Sequence, residues 1–180
     1  LIFTNNGTQY QGTAIYSGGC SHNSSFVVDQ CEFYNNSGQY VIYTCNINNS
    51  NNARFNRIKN SRFYNNNVTE GIILFDGENS EITNCVITNN TAHAAIVYWN
   101  GLLGHNIVNT TISNNQSLAL SVQNNIHTVN INVENSIFSG NNHYQLNPYQ
   151  VQLKANSYPN ILNMDYSIIT GGFSGVLNVN

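Results

Sequence analysis

Catalysis and ligand binding need ionisable groups gathered at one place, and this chain supplies few: five Lys or Arg, eight Asp or Glu and five His among 180 residues. The densest group is acidic. Glu70, Asp76, Glu78 and Glu81 lie close together in sequence. Grouped carboxylates can hold Ca²⁺ through their oxygens or split a glycosidic bond as an acid and base pair. With Ca²⁺ neutralising a sugar carboxylate, they can also let an Arg or Lys base remove the adjacent proton. Asp76-Gly77-Glu78-Asn79 equally has the composition of a solvated turn. The turn is the preferred reading, and Asp76 and Glu78 are kept as an alternative site. Arg57, Lys59 and Arg62 form the one basic cluster. His22, His93, His105, His127 and His143 show no metal-ligand spacing. No catalytic residue, metal site or cofactor is therefore expected, and the reading leans against an enzyme without deciding the question.

Composition narrows the classes further. Hydrophobic residues make up 41% and charged residues only 7%, against roughly 25% charged in ordinary soluble domains. About a fifth of the chain is Asn. The Val, Ile, Phe and Tyr content argues against disorder. A net charge of −3 with five basic residues leaves no patch for a phosphate backbone, so no nucleic acid is expected. No apolar run is long enough to span a membrane.

What positions the few charged groups is a repeat. A phrase ending in Phe or Ile, any residue, then Asn-Asn recurs with anchors at Phe3, Phe33, Phe63, Ile87, Ile112, Phe138 and Ile169, spaced by 30, 30, 24, 25, 26 and 31 residues. Such units are too short to be domains and suit one stacked supersecondary element. Five residues before the anchor stand Val28, Ile58, Ile82, Ile107, Val133 and Met164, an inward aliphatic column. Two before it come Cys31, Ser61, Cys85, Thr110, Ser136 and Ser167, a small column. After each Asn-Asn turn a second apolar strand follows, from Ala14-Ile15-Tyr16 to Val176-Leu177. Period two broken by turns, with no helical stripe, predicts an all-β chain. Constant anchors with variable loops predict a single-stranded parallel β-helix over residues 1–180, one domain of about six to seven coils of 24–31 residues stacked about 4.8 Å apart. The first Asn of each pair, Asn5, Asn35, Asn65, Asn89 and Asn114, is expected to form an amide ladder along the axis.

The coil Phe3-Thr4-Asn5-Asn6 with Gly12-Thr13-Ala14-Ile15-Tyr16 resembles the repeats of polymorphic outer-membrane proteins, which are autotransporter adhesins. More broadly it resembles the right-handed parallel β-helix repeats of the pectin-lyase-like superfamily. That resemblance implies right-handedness and a secreted or surface location. It admits polysaccharide lyases and hydrolases, adhesins, tailspikes and structural rods. Arg57-Ile58-Lys59 is similar to the basic motif of polygalacturonases and Gly104-His105-Asn106 to their Gly-His-Gly, but the order is reversed and both aspartate motifs are missing.

Column alignment explains the basic cluster differently. It sets Asp29 beside Lys59, Glu32 beside Arg62, and Arg57 beside Glu81 in neighbouring coils, a charge ladder worth about 0.2–1 kcal/mol per pair. Cys31 and Cys85 are two coils apart and cannot bridge. Cys20 and Cys45 follow the second strand of adjacent coils and are expected to form a disulfide, which fits an oxidising compartment. Of eight Asn-x-Ser/Thr sequons, five fall in repeat columns, where a glycan would break the stack. Asn23, Asn48 and Asn67 remain as glycosylation candidates. Both chain ends fall within strands, which suggests a segment of a longer solenoid or copies stacking head to tail.

The functional expectation is an extracellular or cell-surface β-helical rod that polymerises with itself. Two alternatives stand beside it: a carbohydrate-active enzyme on the same fold, and an adhesin or carbohydrate-binding module using exposed Tyr34, Tyr64, Tyr98 and Trp99.

Overall fold

A computed structural model describes residues 1–8, 12–17, 25–46, 55–77, 79–99, 104–124, 128–144, 149–155, 160–171 and 173–174. The strands of each coil pair with those of the next, like residue against like at the inward anchors, and every strand pairing among the described residues is parallel. The chain is a parallel β-solenoid with three sheets of seven, seven and six strands. The anchor sheet runs from Ile2–Thr4 through Glu32–Tyr34, Arg62–Tyr64, Val86–Thr88, Thr111–Ser113 and Ile137–Ser139 to Ile168–Ile169. After the Asn-Asn turn comes the long-strand sheet, which includes Ser37–Asn46, Asn67–Gly77, Thr91–Trp99, Gln116–Asn124 and Val151–Ala155. The third sheet, from Val27–Asp29 to Ile161–Asp165, is built on the aliphatic column of Val28, Ile58, Ile82, Ile107 and Val133. The last described strand of the long-strand sheet is Phe173–Ser174; Val176 and Leu177 lie outside the described residues.

Stacked anchors fill the interior. The rings of Phe3, Phe33 and Phe63 lie nearly parallel at 4.7 and 4.6 Å between centroids, followed in register by Ile87, Ile112, Phe138 and Ile169. Fully buried Phe and Ile side chains each contribute about 1.5–3 kcal/mol, and a uniform column lets every coil bury against the next without a gap.

The turns explain the asparagine, and they correct its assignment. Asn5, Asn35, Asn65, Asn89 and Asn114 hold φ of 54–56°, a left-handed conformation that Asn tolerates better than other side chains. Their side chains are exposed, and they are not the ladder. The ladder is the next residue. Asn6 Nδ2 donates to Asn36 Oδ1 at 2.9 Å, Asn36 to Asn66 at 2.9 Å, Asn66 to Asn90 at 2.9 Å, Asn90 to Asn115 at 2.9 Å and Asn115 to Asn141 at 2.8 Å. Each Oδ1 also accepts the backbone N–H of the preceding coil's Asn, and each Nδ2 from Asn36 onward donates to the anchor carbonyl of the coil before. A strand leaving a left-handed residue turns the following side chain inward, so the first Asn shapes the corner and the second fills it. Period-two reasoning cannot see that inversion. At the far end Asn141 donates to Gln150 Oε1 at 2.7 Å, and Gln150 returns a bond to the Asn141 carbonyl at 2.8 Å.

The second corner repeats the device. Gln30, Asn60, Asn84, Asn109, Asn135 and Tyr166 have φ of 48–55°. Behind them the small column runs a hydroxyl ladder: the N–H of Cys31 donates to Ser61 Oγ at 3.1 Å, that of Thr110 to Ser136 at 3.1 Å, and that of Ser136 to Ser167 at 3.1 Å. Cys31 and Cys85 stand in for hydroxyls, each thiol donating to the carbonyl two residues back at 3.2 and 3.3 Å. Both are free and buried, and burial pushes the Cys85 thiol up to about 11. Cys20 and the side chain of Cys45, the expected disulfide, lie outside the described residues.

Candidate functional site

Charged side chains on the third sheet and anchor sheet meet across neighbouring coils. Arg57 reaches Glu81 at 3.5 Å, Lys59 reaches Asp29 at 3.2 Å and Arg62 reaches Glu32 at 3.8 Å. All six are partly exposed. Asp29 is held below the usual carboxylate range, first by the Asn60 amide at 2.8 Å and then by Lys59. The guanidinium of Arg57 also lies 4.3 Å from the Phe55 ring centre. Because these groups sit in water, Lys59→Gln is expected to cost less than about 1 kcal/mol. Most of that loss should vanish in urea titrations run at high salt; a larger, salt-independent loss would contradict a surface pair.

Asp76 lies on the outer face of the long-strand sheet. It sits in register between Cys45 and Trp99 and is only 5% exposed. It is no solvated turn residue, because Asn67–Gly77 is one unbroken strand. The Tyr43 hydroxyl bonds to it, and burial first, with this carboxylate second, pushes that phenol up to about 12. Tyr40, Tyr43, Leu74, Ala94, Val97 and Leu118 pack beside it as a second apolar cluster, with Trp99 against its edge. Glu78, the other half of the acidic pair, lies outside the described residues. Of the four aromatics expected on the surface, Tyr98 is fully buried and Trp99 half-buried. Tyr34 and Tyr64 stack at 5.0 Å on the half-exposed outer face of the anchor sheet.

The histidines form arrangements that spacing did not suggest. His105 faces the lumen with no exposure. Its ring lies 4.1 Å from that of Tyr98, its Nδ1 is 3.0 Å from Ser80 Oγ, and burial pushes its pKa down to about 3. His93 and His143, fifty residues apart, meet at 3.2 Å between Nδ1 and Nε2. Burial lowers both, Lys154 adds to the effect on His93, and His93 adds to that on His143. Fifty residues is two coils, so only an alignment by column could have brought the pair near each other. His22 and His127 lie outside the described residues. Among the described residues, no group of three or more His, Cys, Asp or Glu side chains could hold a metal ion.

Among the sequons, Asn67 is exposed at the start of its strand, while Asn23 and Asn48 lie outside the described residues. Position in a column does not by itself bury a sequon: Asn35, Asn89 and Asn109 are exposed corner residues, whereas Asn115 is a buried rung of the ladder. No known protein family, curated protein or solved structure matches the chain.

Proposed function

We propose that the chain is a structural rod of an extracellular or cell surface, a non-enzymatic β-solenoid that stacks head to tail with copies of itself. The observation that supports this reading is the amide ladder, unbroken from Asn6 to Asn141. A buried network whose amide oxygens are all partnered from Asn36 to Asn141 rigidifies the fold along one axis. Most of the candidate chemistry is spent internally: Lys59, Arg57 and Arg62 on their neighbours, His105 on Ser80 and Tyr98, the two cysteines on backbone carbonyls. Asn6 Oδ1 accepts no hydrogen bond from a described residue, so it fits the amide of a further Asn-bearing coil, from this chain or another copy. Low charge removes the repulsion that would oppose stacking. The repeat columns favour kinship with adhesin-type and pectin-lyase-like solenoids over other β-rich architectures.

Electron micrographs and sedimentation of the purified chain test the proposal. Filaments are expected, and aligned ones should diffract along the axis near about 4.8 Å. A stable monomer at high concentration that releases new sugar ends from a polysaccharide would overturn it in favour of an enzyme.

A further inference from the structure

Two ionisable groups, His93 and His143, take no part in the three ion pairs or the two corner ladders, and they meet each other. A bulge brings them together. Thr91 pairs with Gln116 and Ala94 with Leu118, so three steps along one strand match two along the next. The extra residue breaks the alternation and turns His93 outward between the buried Ala92 and Ala94. The intervening coil is one residue shorter at that point, and His93 reaches past it to His143, two coils on. His143 is held in place by its neighbours. Asn141 is a rung of the ladder, and the Asn142 N–H donates to the Asn115 carbonyl at 2.8 Å.

The geometry of the pair suits a shared ion. His93 Nδ1 and His143 Nε2 are 3.2 Å apart; with metal–nitrogen bonds of about 2.0–2.1 Å, an ion bonded to both would subtend an angle of about 100°, close to tetrahedral. The rings are nearly perpendicular with centres 4.9 Å apart, closer than a straight N–H···N bond at that nitrogen separation would set them, so the contact is bent. A shared proton favours a line, whereas a shared ion bends it. The outer partner of His93 is also in place. Gln152 stands beside it, and the buried Gln152 Oε1 is an acceptor for the buried Nε2–H, neither atom having another partner among the described residues. A proton on Nε2 leaves the Nδ1 lone pair for a ligand, which is how metal-binding histidines are normally held. Burial keeps both imidazoles below their ordinary pKa, so they are neutral and able to ligate at neutral pH.

His93 lines a surface hollow of about 480 Å³ together with Thr69, Glu70, Thr91 and Gln116, which gives water a route to the remaining coordination positions. The nearby charges oppose one another. Lys154 disfavours a cation beside His93 but is exposed and screened by salt, while Glu70 in the hollow attracts one.

We propose that His93 and His143 bind a first-row transition-metal dication, Cu²⁺ more tightly than Ni²⁺ or Zn²⁺, with water completing its coordination. Imidazole selects these metals over Ca²⁺ and Mg²⁺, which prefer oxygen. Two protein ligands make an open, exchangeable site and not a closed structural one. The bound ion ties together two coils across the strand Gln116–Asn124 that lies between them, a cross-link along the rod axis that does not depend on whether the rod polymerises.

Cu²⁺ titration of the chelator-treated chain, followed by electron paramagnetic resonance and thermal unfolding, tests the site. One Cu²⁺ per chain is expected, with hyperfine coupling to two imidazole nitrogens. The melting temperature should rise with Cu²⁺ and not with Ca²⁺ or Mg²⁺. His93→Gln and His143→Gln should each weaken binding at least tenfold, the double variant little further, and His22→Gln not at all. Three results would each overturn the proposal: a wild-type spectrum without two coupled imidazoles, an affinity that both single variants retain, or equal stabilisation by Ca²⁺. The spectrum is read on the unaltered chain, so it decides the matter even where a variant fails to fold.

Discussion

Asn90→Ala is expected to lower stability by about 4 kcal/mol, while Asn89→Gly, one residue away, should change it by only a few tenths. Removing the Asn90 amide strands the backbone N–H and Nδ2 of Asn66, both bonded to Asn90 Oδ1 at 3.0 and 2.9 Å. It also strips a donor from the carbonyls of Phe63 and Thr88 and from Asn115 Oδ1. These groups are buried, and each unmet one costs about 1–3 kcal/mol. Shared rungs keep the sum below simple addition. Asn89, exposed at φ 55°, contributes only its tolerance of a left-handed turn, which Gly shares. Thermal unfolding should show Asn90→Ala melting roughly 10 °C lower; equal melting points for the two variants would refute the assignment of the ladder to the second asparagine.

Acid should destabilise the fold through His105. Its folded pKa of about 3 lies below the unfolded value of 6.5, so the unfolded chain binds the proton first. Stability attributable to this group is complete above pH 6.5 and is lost progressively as pH falls toward 3. Each unit corresponds to about 1.4 kcal/mol, giving on the order of 4–5 kcal/mol at the acid end. His93, also lowered by burial, acts with the same sign. Denaturant titrations of the wild type and His105→Gln between pH 7 and 4 should diverge, the variant losing less per pH unit. Parallel pH profiles would show that the buried imidazole does not control acid unfolding.

The anchors were legible in the sequence because a lumen residue must match its neighbours above and below: Phe3, Phe33 and Phe63 recur since only a like ring stacks well on a ring. The three ion pairs were legible for the same reason, since column alignment places Lys59 beside Asp29. Three features were hidden. The inversion at the left-handed corner moved the ladder by one residue. The bulges broke period two just where Glu70 and His93 turn outward. Burial of Asp76 follows from the second apolar cluster outside the long-strand sheet, for which an alternating pattern gives no signal, whereas Tyr98 packs in the main core against Phe75 and His105.

The ladder also makes the molecule an electrical vector. From Asn6 to Asn115 every side-chain amide directs one N–H at the Oδ1 of the next coil's Asn, so the individual dipoles add instead of cancelling, inside a medium that screens them poorly. The Asn6 end presents carbonyl oxygen and the other end presents amide hydrogen, answered by the carbonyl of Gln150. Two such rods lying side by side are favoured in opposite orientation, whereas rods joined along the axis are favoured pointing the same way. Bundles built from this chain would then be locally antiparallel, each fibre polar and its neighbour reversed.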